Sequence, residues 1–127
     1  MTERPRSLPS ISKSVEKGAR LALFAAGLFA FVMAVLPHPP TLPGQLSDKI
    51  QHMLAFAVLG GLAAAGYRKV PLGYLFIALT AFGALIELVQ AIPALHRDSD
   101  WLDLAADTLA ALIGLAAVRA VLKRPSA

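Results

Sequence analysis

Leu21 to Leu36 runs sixteen residues without a charge, and Val70 to Ile86 runs seventeen. Two further apolar stretches, about Ile50–Tyr67 and Trp101–Val121, complete a set of four. A membrane-crossing helix needs about 20 predominantly apolar residues, with a range of roughly 17 to 25. Arg20 can supply the missing turn of the first run by laying its aliphatic stem along lipid. The chain has 127 residues, 57% of them hydrophobic and only 16% charged, with a mean hydropathy of +0.64. A water-soluble domain of that size would need more polar residues to cover its surface. The expected fold is therefore an all-α membrane protein, an antiparallel bundle of four transmembrane helices. The spans are set at about 21–36, 50–67, 70–92 and 101–121, after a basic segment at 1–20 and before a tail at 123–127.

The punctuation between the runs supports this division. Pro37 to Gly44 reads PHPPTLPG, an extended loop that cannot continue a helix. Ser47 or Asp48 is the expected N-cap of the second span. Pro93 closes the third span, and Ser14–Arg20 is expected to extend the first helix into the headgroup region. A cleaved signal peptide is the rival account of the first run, which is slightly too long for one and is followed by three more spans. Gly60, Gly61, Ala63 to Ala65, Gly66, Gly73 and Gly83 are small and mark expected close helix approaches.

Ten of the twelve Lys and Arg residues fall before the first span, between the second and third, or at the close of the fourth, as Arg119, Lys123 and Arg124. Those are alternate loops, so all ten lie on one side, and the positive-inside rule makes that side cytoplasmic. The opposite side carries only Lys49 and Arg97. The net charge of +4 is thus spread between apolar blocks rather than along one polar face, which argues against nucleic acid as a partner. The chain has no Cys, so it holds neither disulfides nor thiolate metal sites.

The acids are distributed the other way. Asp48, Glu87, Asp98, Asp100, Asp103 and Asp107 stand at or near the non-cytoplasmic ends of spans two, three and four, and so does His52. Asp48 and His52 share one helical face, Glu87 and Gln90 a second, and Asp103 and Asp107 a third. Such a group repels itself unless protonated, bridged by Arg97 or Lys49, or neutralised by a cation. Several members have structural readings: Asp48 as a cap, Asp98 and Asp100 as solvated loop acids, Asp103 as a charge complementing a helix N-terminus, Gln90 and His52 as packing partners. Glu87 lies near a helix C-terminus and Asp107 lies within a span, so neither is explained by the helix dipole. Acids inside a span default to a functional hypothesis.

The ordered set Asp48-Lys49-x-x-His52-x-x-x-Phe56, then Glu87-x-x-Gln90, then Arg97 followed by Asp103 and Asp107, resembles the VanZ-like membrane protein family over residues 48 to 114. The namesake of that family is associated with glycopeptide (teicoplanin) resistance, and most members have no established activity. This chain keeps Gly114 but departs from the family at Asp107, where Asn is usual, at Asp100, where Ser or Thr is frequent, and near Ala110, where a Gly is usual. The extra acids make the pocket more negative and favour a cation or a cationic ligand.

The resemblance implies a cell-envelope protein of the bacterial cytoplasmic membrane, and the positive-inside rule sets both termini in the cytoplasm. Asp48, His52, Glu87, Gln90, Arg97, Asp103 and Asp107 would form a pocket for a headgroup, a lipid-linked precursor or an amphiphilic antibiotic. Two alternatives stand beside it. One is an intramembrane enzyme with His52, Glu87 or Asp103 in acid–base roles and the acids holding a divalent cation, although no recognised metal spacing or nucleophile motif occurs. The other is a structural or interaction protein whose polar cluster only fixes helix register. The sequence identifies no cofactor. Its expected partners are membrane lipids, with self-association left open.

Overall fold

The computed structural model describes residues 13–36, 48–92 and 101–123; side chains at 48, 49 and 123 are outside that description. Four helices account for most of these residues: α1 (Lys13–Val35), α2 (Asp48–Gly66), α3 (Leu72–Gln90) and α4 (Trp101–Lys123). No strand occurs among the described residues. The architecture is an all-α membrane bundle.

The helix ends follow local chemistry. α1 continues outward from the apolar run to Lys13, and an i,i+4 ion pair between Glu16 and Arg20 at 3.7 Å spans the added turns. α3 starts at Leu72 rather than Val70 because Pro71 takes the extended N-cap conformation, φ −58° and ψ 143°, while its carbonyl accepts the Tyr74 N–H at 3.1 Å. α3 stops at Gln90, and Ala91 closes it by donating to the Glu87 carbonyl. α2 begins at Asp48; the expected cap Ser47 lies outside the described residues.

Three of the helices, at Lys13–Val35, Leu72–Gln90 and Trp101–Leu122, are long and apolar enough to cross a membrane. The apolar part of α2, Ile50–Gly66, is shorter. α2 packs against all three other helices, as α3 does.

The surface is inverted relative to a water-soluble protein. Leu21, Phe24, Leu28, Phe29, Tyr74, Ile77 and Leu102 are each about two-thirds exposed, while Glu87, Gln90, Asp107 and Arg119 are buried. Hydrocarbon reverses the usual cost of that arrangement: apolar side chains face lipid freely and polar ones turn to the interior. An integral membrane protein follows from the helices and from this inversion together.

The order of contacts fixes the topology. Arg20 of α1 bonds to Gly66 of α2, and Gly27 lies against Leu59, so α1 and α2 run in opposite directions. Between α2 and α4 the numbers rise together, from Ala57 with Gly114 to Gly61 with Val118 and Tyr67 with Arg119, so these two run parallel. The end holding residue 13, the 67–71 turn and residue 123 is called basal here, and the opposite end distal. α2 and α4 form the largest interface. At its centre Gly60 sits against the backbone of Ala111, and Gly114 against the backbone of Ala57. Bare Cα atoms on both helices permit that approach, as in small-residue membrane packing. Gly83 is likewise covered, by Leu104 and the Phe56 ring. Gly73 departs from expectation: nothing lies within 4 Å of its Cβ position, because it occupies the exposed face of the first turn of α3. Phe82 joins three helices, its ring 6.4 Å from Phe31 and 6.0 Å from Phe56.

Candidate functional site

The contact of Gly83 with Phe56 and Leu104 marks where α2, α3 and α4 meet. His52 stands one turn distal of Phe56 on α2, and Glu87 one turn distal of Gly83 on α3. Each step is about 6 Å at 1.5 Å per residue. On α4, Asp107 precedes Ala111 by one turn on the stripe that continues through Leu115 toward α2, and Ala111 abuts Gly60. The reciprocal contact of Gly114 with Ala57 shifts the register the other way, and the two together set Asp107 about level with His52 and Met53 and Asp103 a turn distal of them. The polar groups are stepped along the bundle axis rather than set in a single plane.

Burial separates them further. Glu87 is 2% exposed and Asp107 3%, whereas His52 and Asp103 are half-buried. All four have interaction partners. Two carboxylates enclosed in a bundle set in hydrocarbon are costly unless partners or a ligand offset their desolvation. Asp48 opens α2, but its side chain lies outside the described residues, as do Arg97, Asp98 and Asp100 entirely. Among the described residues, no group of three or more His, Asp or Glu side chains is placed to hold a metal ion.

Gln90 turns to a different task. Its Nε2 donates 3.0 Å to the carbonyl of Ala34, in the last turn of α1. Helix C-termini leave four carbonyls without an intrahelical donor, and lipid supplies no water to satisfy them. The basal end repeats the device with arginines. Arg20 Nε donates to Gly66, the last residue of α2. Arg119 Nη2 donates to Tyr67 at 3.1 Å and Val70 at 3.0 Å, the carbonyls just past that end. Arg68 Nη2 reaches Leu122 of α4 at 3.4 Å. The C-termini of α1, α2 and α4 are thus each served by a side chain from another segment.

Arg119 stands at the end where the sequence places it, but buried. As a basic residue near a span's end it reads as an interfacial charge, yet it is 7% exposed. The signal was its spacing: Ala111, Leu115 and Arg119 fall four apart, on the buried stripe of α4. Arg20 also does more than mark a boundary, since its guanidinium carbon lies 4.6 Å from the centre of the Tyr67 ring.

Comparison of the chain with protein-family models, with curated proteins and with solved structures yields no match.

Proposed function

We propose that this chain is a VanZ-like protein of the bacterial cytoplasmic membrane, with both termini cytoplasmic, and that its distal polar layer binds an envelope ligand. The ligand class is a polar headgroup, a lipid-linked precursor or an amphiphilic antibiotic, as in a glycopeptide-resistance role. The observation that supports this reading best is the burial of two carboxylates, Glu87 and Asp107, within the bundle. His52 and Asp103 are half-buried in the same distal half. Arg97 would hold an anionic group on the ligand, with His52, Glu87 and Asp103 hydrogen-bonding its polar atoms.

The test is equilibrium binding of phospholipid headgroup analogues and a lipoglycopeptide to detergent-purified protein. Joint replacement of Glu87 and Arg97 by Ala abolishes binding on this reading. Undiminished binding by a folded double variant overturns it.

A second reading has its own observation. The Gln90–Ala34 hydrogen bond joins two helices, as a register-fixing network would. On that reading polar replacements change stability alone, and no added compound shifts it.

A further inference from the structure

The basal half of the bundle holds a groove that the distal reading leaves unused. α1 and α3 meet in the distal half, through Phe31 with Phe82 and through Ala34 with Gln90. Toward the basal end they part, leaving a groove of about 380 Å³ over α2. Leu23 and Phe24 form one wall, Tyr74 and Ala78 the other, and Ala63 and Tyr67 the floor. Its rim residues Phe24 and Tyr74 are 65% and 69% exposed, so the groove opens sideways to lipid. The volume is within the range of about 300–1,000 Å³ for small-molecule sites.

A cation stands over the mouth. Arg20 precedes Leu23 and Phe24 by three and four residues and so shares their helical face. Its side chain is 47% exposed while stacked on Tyr67, one of the groove's own residues. Lys17 and Lys13 continue that face toward the basal end, and both are exposed. Glu16, 3.7 Å from an Arg20 nitrogen, is the one acid among the described residues at this end. Lys13, Lys17, Arg20, Arg68, Lys69 and Arg119 outnumber it.

We infer that this groove holds an acyl chain of an anionic phospholipid whose phosphate meets Arg20 and Lys17. An apolar trough open to hydrocarbon selects a lipid tail, and basic side chains at headgroup depth select a negative headgroup. A zwitterionic lipid with the same tails fits the trough but gains less from the cations. The site is separate from the distal layer, one at each end of the bundle.

The experiment compares dioleoylphosphatidylglycerol with dioleoylphosphatidylcholine, each added to the full chain in detergent micelles. Thermal unfolding and native mass spectrometry are the readouts. Phosphatidylglycerol raises the unfolding temperature by several degrees more than phosphatidylcholine and stays bound as one molecule per chain. Ala78→Trp fills the groove from its exposed side and removes both effects, measured against its own lipid-free baseline. Arg20→Gln, or Lys17→Gln where loss of the Gly66 bond prevents folding, erases the preference for phosphatidylglycerol. Ile113→Ala, on the exposed side of α4 and outside both sites, leaves the effects in place. Equal shifts from the two lipids, or a full shift in Ala78→Trp, overturn the proposal.

Discussion

The carbonyl oxygen of Ala57 occupies the place where a Cβ on Gly114 would stand. The relation is reciprocated at Gly60, whose Cβ position falls on the carbonyl of Ala111. In each case the obstacle is backbone, which cannot rotate away. Gly60→Ala and Gly114→Ala are therefore expected to destabilise the bundle by about 1–3 kcal/mol each, the usual cost of overpacking. Gly73→Ala, facing open space, is expected to be neutral or to stabilise by up to about 1 kcal/mol through helix propensity. Unfolding of the three variants in the same detergent checks the contrast.

Arg119 satisfies two carbonyls at the end of α2 from a buried position, and its Nε has no hydrogen-bond partner. Hydrogen bonds from charged donors contribute about 1.5–3 kcal/mol each, so Arg119→Met is expected to cost about 3 kcal/mol or more. Arg68→Met removes a single long bond of 3.4 Å and is expected to cost under about 1 kcal/mol. Equal losses would show that Arg119 acts through charge alone.

Gln90→Leu keeps the volume of the side chain and removes the donor to Ala34. Interhelical hydrogen bonds in membranes average about 0.6 kcal/mol and reach about 1.7. A loss in that range is expected, with faster hydrogen exchange confined to the last turn of α1. Loss of exchange protection throughout the bundle would contradict so local a role.

The chain contains no Cys, so single cysteines report topology without background. A cysteine at Lys69 is expected to be shielded from an impermeant maleimide outside intact cells, and one at position 96 to be labelled. The reverse pattern would invert the proposed orientation and move the acidic layer to the cytoplasmic side.

The four helices were legible because uncharged runs of sixteen and seventeen residues admit few alternatives. The start of α3 was less so, because Pro71 trims it by backbone conformation, whereas the expected extension of α1 through Ser14–Arg20 is present and reaches Lys13. The spacing of Glu87 and Gln90 assigned both to one face, and both are buried. It could not reveal that Gln90 serves the end of α1, since that depends on which helix lies opposite. The burial of Arg119 went unforeseen for a related reason. Its charge pointed to the interface, whereas its phase on α4 and the orphan carbonyls beside it decide its burial. Gly73 shows the converse, a small residue whose face happens to meet nothing.

The central claim is that the buried distal carboxylates serve a ligand. The most direct measurement is the unfolding temperature of wild type and Glu87→Gln across phospholipid headgroup analogues, a lipoglycopeptide and divalent cations. A compound that binds only the folded state stabilises it by mass action, about 2.7 kcal/mol at a hundredfold excess over Kd. The account predicts at least one compound that raises the wild-type temperature and leaves Glu87→Gln unmoved. No shift with any compound, together with a large intrinsic loss in Glu87→Gln, would contradict it and leave Glu87 as a part of the scaffold.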